Sequence, residues 1–74
     1  MEEWIETKPP YFSPGIRREF SKDEFTLTYW HLPRVGAGWY LYKKEHNSAI
    51  ASLTGFGERA IEISQKWADN LMAK

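Results

Sequence analysis

The chain has 74 residues with ten basic and ten acidic side chains, so its formal net charge at pH 7 is zero. That length suffices for one small domain, and electrical neutrality argues against a dedicated nucleic-acid binder, which usually carries excess positive charge. Because cysteine is absent, disulfides, thiol catalysis and thiolate metal sites are excluded.

Residues 1–15 are predicted to form an extended arm. Three prolines lie in this segment, and proline opposes regular helix while biasing the preceding residue toward extended geometry. The arm also contains large apolar side chains that disordered segments usually lack. These side chains are Trp4, Ile5, Tyr11 and Phe12. Two interpretations stay open: the arm packs across the sheet, or it is mobile and carries a partner-binding motif.

Residues 25–44 hold the strongest β pattern in the chain. They are rich in aromatic and β-branched residues, which suit a pleated and half-buried surface. We predict strands over residues 25–32 and 39–44, joined by a proline- and glycine-containing loop over residues 33–38. A preceding strand is predicted over residues 16–20, with a single helical turn as the alternative.

Side chains alternate across a strand, so this hairpin has two distinct faces. We expect the core face to carry Phe25, Leu27, Tyr29, Trp39 and Leu41. The other face then presents an aromatic patch with basic neighbours. That patch consists of Trp30, Tyr40 and Tyr42. A register slip of one residue would exchange the two sets on one strand.

A further strand is predicted over residues 48–54 and an amphipathic helix over residues 58–73. The apolar residues of the second segment recur with helical spacing and include Trp67, which we expect to anchor the helix in the core. The fold class is therefore α+β. We predict a three- to four-stranded antiparallel meander, one C-terminal helix packed on one face, and an N-terminal extended arm, all in one domain over residues 1–74.

The sequence contains no pattern typical of a catalytic or metal site. His31 and His46 are the only histidines and lack the spacing of a ligand set. No nucleophile elbow, phosphate loop or dinucleotide motif occurs. We therefore expect a protein that is not an enzyme and that uses neither cofactor nor metal.

The best candidate surface combines the aromatic patch with nearby basic residues. Tyr, Trp and Arg are enriched at the energetic centres of protein interfaces. The candidate partner-binding residues are Trp30, Arg34, Tyr40, Tyr42 and Lys44. The leading hypothesis is a non-catalytic interaction module that binds a partner protein, or a second copy of itself, through the sheet face, the hairpin loop or the arm.

The alternative hypothesis is a nucleic-acid-binding sheet. Residues 7–46 carry seven basic and four acidic side chains, a net charge of +3. The order Gly38-Trp39-Tyr40-Leu41-Tyr42, a turn, a strand, Gly55-Phe56 and a helix near Ala60 resembles the arm-type DNA-binding domains of phage integrases. The resemblance spans roughly residues 38–68 and implies a sheet placed in the major groove. Ala60 follows Gly55-Phe56 more closely than in that family, and the sheet is less basic.

The sequence shows neither of the two common membrane-directing patterns. No apolar run of about eighteen residues and no signal-peptide pattern occurs, so we expect neither a membrane span nor export. A cysteine-free chain of this size is more typical of a cytoplasmic setting, since small secreted domains usually contain disulfides.

Overall fold

The computed structural model describes residues 3–8, 15–45 and 48–73, and every structural statement below concerns those residues. It contains five strands and one helix. They are β1 (Ile5–Thr7), β2 (Ile16–Lys22), β3 (Phe25–Leu32), β4 (Gly36–Lys43), β5 (Ala51–Leu53) and α1 (Ile61–Met72). The strands form one antiparallel sheet in the order β1-β2-β3-β4-β5. The predicted α+β meander is confirmed, but it has five strands rather than three or four.

The additional strand is β1, which the sequence analysis assigned to the arm. It pairs with β2 through Ile5 opposite Ser21 and Thr7 opposite Glu19. All three residues of β1 are exposed. A segment of three residues is too short to show the alternation of polar and apolar residues that predicts a strand. It is recognisable as a strand only through its hydrogen bonds to β2. The rest of the arm that carries Tyr11 and Phe12 lies outside the described residues.

The strand interpretation of residues 16–20 is confirmed, and the helical alternative is wrong. β2 continues to Lys22 and contains a register shift between Ile16 and Arg18. A two-residue turn at Asp23 and Glu24 then leads into β3.

The central hairpin has a shorter loop than predicted. β4 begins at Gly36, so the loop contains only residues 33–35, and the Val35 N–H donates to the Leu32 carbonyl oxygen at 3.1 Å. Pro33 thus occupies the second position of a β-turn and Arg34 the third, where φ is +67°. Gly36 and Gly38, which were assigned to the loop because glycine punctuates chain segments, lie in β4 instead, and β5 approaches Gly38 closely. A Cβ at Gly38 would lie 3.2 Å from the Leu53 carbonyl oxygen.

The predicted core face is confirmed by the register and burial of the hairpin. Leu27 lies opposite Leu41, and Tyr29 lies opposite Trp39. The buried hydrophobic cluster comprises Phe20, Leu27, Tyr29, Trp39, Leu41 and Ala68, with Phe25 partly buried against it. The Trp39 ring lies 5.2 Å from the Tyr29 ring, and its Nε1–H donates to the Gly57 carbonyl oxygen at 3.0 Å.

The deepest burial in α1 falls on small residues. Ser64 and Ala68 are its fully buried residues, and their four-residue spacing places them on one stripe. Trp67 is only partly buried, with Ile61, Leu71 and Met72 similarly placed against the core. Trp67 thus lies against the core as expected, although it is not among the fully buried residues of α1.

Polar contacts join β1, β2 and α1 at the sheet edge. Asp69 Oδ1 accepts from Trp4 Nε1 at 3.1 Å and from Lys22 Nζ at 2.9 Å. The Lys22 ammonium also lies 5.7 Å from the centre of the Trp4 ring. Trp4 and Lys22 are therefore held close to Asp69 of α1. Within the described ranges, no helix has the length and apolar character needed to cross a membrane.

Candidate functional site

The three candidate aromatic residues lie together on the sheet face opposite the core cluster, which we call the aromatic face. Trp30 is in β3, while Tyr40 and Tyr42 are in β4, and all three are half-buried. Thr28 lies opposite Tyr40 and Thr26 opposite Tyr42 in the register. Because side chains two residues apart share a face, this register places the three rings as near neighbours across two central strands.

The position of Trp30 depends on two residues without side chains. Gly38 lies directly opposite it on β4, so no side chain competes with the indole there. On the β2 side, a Cβ at Gly15 would come within 2.8 Å of the Trp30 ring and 2.6 Å of Leu32. The His31 N–H donates to the Gly15 carbonyl oxygen at 2.8 Å, which fixes this close approach. Glycine at position 15 is therefore a steric requirement of the aromatic face.

Two shallow depressions occupy the aromatic face. The first, near the hairpin loop, has a volume of about 360 Å³. It is lined by Trp30, Leu32, Val35, Gly36, Ala37, Tyr40, Tyr42 and Thr54. The second, toward the other end of the hairpin, has a volume of about 590 Å³. It is lined by Ile16, Glu19, Thr26, Thr28, Trp30, Tyr42, Lys43 and Lys44. Trp30 and Tyr42 are common to both, so the depressions form one aromatic surface.

Two buried polar atoms of this face have no hydrogen-bond partner among the described residues. They are Trp30 Nε1 and Thr28 Oγ1, and Thr28 as a whole is 3% exposed. Leaving a buried polar group unpaired costs about 1–3 kcal/mol, and folded proteins pair the great majority of such groups. The indole nitrogen is a donor only. A hydrogen-bond acceptor placed at the Trp30 N–H therefore removes this cost.

Arg34 and Lys44 lie at opposite ends of the hairpin, and neither is among the rings. Arg34 is exposed in the loop, and Lys44 is exposed in the turn after β4. The length of β3, seven residue steps at ~3.3 Å each, places these ends about 23 Å apart. A non-glycine residue at positive φ costs about 1–2 kcal/mol, and such residues are frequent at functional sites. The five candidates thus form an aromatic centre with one cation toward each end.

Sequence reasoning missed the buried hydroxyl of Thr28 and the apolar rim of Leu32 and Val35. Alternation places Thr28 on the aromatic face but does not predict how deeply its hydroxyl is buried. Thr28 lies opposite Tyr40 and is only 3% exposed. Val35 belonged to the predicted loop, yet it is 79% exposed beside the first depression.

Several other charged groups of the described residues form contacts with one another on the surface. Glu19 Oε2 accepts from the Thr7 hydroxyl at 2.9 Å, and Arg18 pairs with Glu6 at 2.8 Å. No group of three or more His, Asp or Glu side chains within the described ranges is placed to hold a metal ion. His31 is exposed, and His46 lies outside those ranges.

Comparison of the chain with protein-family models, with curated proteins and with solved structures finds no match.

Proposed function

We propose that this chain is a non-catalytic interaction module whose aromatic face binds a partner protein. The observation that carries this proposal is that Trp30, Tyr40 and Tyr42 line one continuous surface, in which a buried indole N–H has no acceptor among the residues that the structure describes. Tyrosine and tryptophan are enriched at interface centres because they bury large area with few rotatable bonds. A cytoplasmic location, proposed from the lack of cysteine, is compatible with this role.

We also propose that α1 covers the core face of the sheet, which leaves the aromatic face available for binding. Support comes from Ala68 within the buried cluster and from Trp67 and Leu71 against it. The contacts of Asp69 with Trp4 and Lys22 hold the helix at the β1–β2 edge. A helix placed there excludes a second macromolecule from the core face.

The second candidate function is binding of single-stranded nucleic acid on the same face. Aromatic side chains on two adjacent central strands can stack bases, and Lys43 and Lys44 line the second depression. Glu19 lines it as well, however, and the chain carries no net charge. A polyanion would therefore meet little attraction, and the protein-binding proposal is favoured.

The test is to select peptides from a displayed random library against the folded chain and to map their binding by ¹H–¹⁵N NMR. We expect the selected peptides to shift the Trp30 indole signal and the amides around Tyr40 and Tyr42. The Tyr40→Ala variant should lose binding, whereas Ile63→Ser, a change on the exposed part of α1, should retain it. Shifts that map to α1 or to β1 would refute the proposed site.

Nucleic acid is tested in the same spectra with oligodeoxythymidine. Phosphate contacts make affinity fall steeply as salt increases, whereas an apolar protein interface is nearly insensitive to salt. Saturable, salt-sensitive shifts on the aromatic face with this probe, and none with selected peptides, would establish the second function in place of the first.

A further inference from the structure

We propose that the partner of the aromatic face is an extended, proline-rich segment of another protein with an acidic residue near each end. This inference rests on the proposed protein-binding function and specifies the chemistry of the ligand. It is carried by three features of the face: its unpaired polar atoms, its aromatic lining and the placement of its cations.

The unpaired polar atoms select for a ligand rich in acceptors. Trp30 Nε1 can only donate, and it lacks an acceptor among the described residues. A polyproline II segment has no internal hydrogen bonds, so its carbonyl oxygens are free to accept. Proline also brings no backbone N–H, so a proline-rich segment adds no unpaired donor above the rings. A helix, whose carbonyls are already used internally, lacks this complementarity.

The aromatic lining suits the shape of such a segment. Aromatic grooves bind proline-rich segments in several recognition domains because the ligand is already extended and loses little entropy on binding. Here Trp30, Tyr40 and Tyr42 provide the rings, and Leu32 and Val35 provide an apolar rim beside the loop. The indole nitrogen is buried while its ring lines both depressions. Binding therefore requires the ring to turn until the N–H meets a ligand carbonyl.

The cations at the two ends of the hairpin determine the expected length and charge of the ligand segment. Arg34 and Lys44 mark hairpin ends that are about 23 Å apart at ~3.3 Å per strand residue. A polyproline II segment rises ~3.1 Å per residue, so about seven residues span that distance. Lys43 and Lys44 outnumber Glu19 at the second depression, and Arg34 precedes Val35, which lines the first. A seven-residue proline-rich segment with an acidic residue at each end matches this distribution.

The experiment titrates the whole chain with the acetylated peptide Asp-Pro-Pro-Leu-Pro-Pro-Asp and follows the four tryptophan indole N–H signals. The Trp30→Phe variant assigns the Trp30 signal and tests the hydrogen bond, since it removes the N–H and keeps an aromatic ring. We expect a saturable shift of the Trp30 signal in the parent chain. Affinity should fall about three- to tenfold in Trp30→Phe, the effect of one hydrogen bond.

Two control peptides test separately whether binding depends on the extended proline geometry of the ligand and on its acidic ends. A peptide with alanine in place of every proline should bind at least about tenfold more weakly, because it must lose more conformational freedom. A peptide with lysine at both ends should bind more weakly than the acidic one at low salt, and Arg34→Gln should reduce that difference. The peptide comparisons need no variant, so they stay decisive even where a substitution impairs folding.

The outcomes separate this inference from the proposed function. Equal binding of the alanine peptide on the aromatic face would overturn the proline-rich ligand and leave a protein-binding face intact. So would library-selected peptides that shift Trp30 while the proline peptide does not. If neither kind of peptide shifts Trp30, Tyr40 or Tyr42, or if only oligodeoxythymidine does, the inference and the proposed function both fail.

Discussion

Replacement of Trp39 is the most direct test of how this small domain is held together. Trp39 is 0% exposed, contacts the Phe20 and Tyr29 rings, and donates to the Gly57 carbonyl oxygen. Burying up to ~250 Å² at ~25 cal/mol per Å² corresponds to about 6 kcal/mol as an upper bound. Measured substitutions of buried Trp by Ala cost about 3–5 kcal/mol. A domain of this size has a free energy of unfolding of about 4–11 kcal/mol, so Trp39→Ala removes much of it.

The assay is urea denaturation followed by far-ultraviolet circular dichroism, which does not depend on tryptophan emission. We expect Trp39→Phe to lower the free energy of unfolding by about 1–3 kcal/mol, because it loses one hydrogen bond and part of the buried ring. Trp67→Ala is the matched comparison, since Trp67 is partly buried and should cost about half as much as Trp39→Ala. An equal or larger loss for Trp67→Ala would refute the assignment of Trp39 as the centre of the core.

Three further predictions use the same denaturation assay. Asp23→Gly should raise the free energy of unfolding by about 0.5–1 kcal/mol, because Asp23 has φ +54°, whereas Glu24→Gly in the same turn should lower it. Thr28→Val should raise it by about 1 kcal/mol, since valine has nearly the same shape and removes a buried hydroxyl without a partner. A double-mutant cycle on Lys22 and Asp69 should give a coupling of about 0.5–1 kcal/mol that decreases with added salt, because Asp69 is 44% exposed.

Each of these predictions has an outcome that contradicts it. If Asp23→Gly and Glu24→Gly have the same effect, the turn conformation is not the one described. A destabilised Thr28→Val would show that the hydroxyl has a hydrogen-bond partner. A coupling between Lys22 and Asp69 that is indistinguishable from zero at low salt would mean that the pair does not hold α1 to the sheet edge.

The candidate site could be assembled from the sequence only in part. Alternation in residues 25–32 and 39–44 placed Trp30, Tyr40 and Tyr42 on one face without any knowledge of the tertiary structure. The buried and unpaired Thr28 hydroxyl could not be found that way, because burial depends on which side chains of β4 stand opposite. Sequence likewise placed Arg34 in a loop but could not show its positive φ, since glycine or asparagine is the usual residue at that turn position.

The sequence by itself determined the features that depend on local periodicity. These were the bounds of β3, the separation of core and aromatic faces in the hairpin, and the amphipathic character of α1. Each follows from a repeat of two or 3.6 residues, which the chain carries in its own order of side chains. Such a repeat predicts which face of a helix or strand is buried, and the prediction does not depend on which neighbouring element covers that face.

Only the tertiary structure decided the features that depend on a neighbour distant in sequence. β1 is a strand because β2 offers it hydrogen bonds, and Gly38 lies in a strand because it pairs with Trp30 of β3. Ser64 and Ala68 are the fully buried residues of α1 while Trp67 is only partly buried, because depth of burial depends on the segment that faces the helix. Pairing, close approach and depth of burial are properties of two segments together, so the order of residues in one segment cannot specify them.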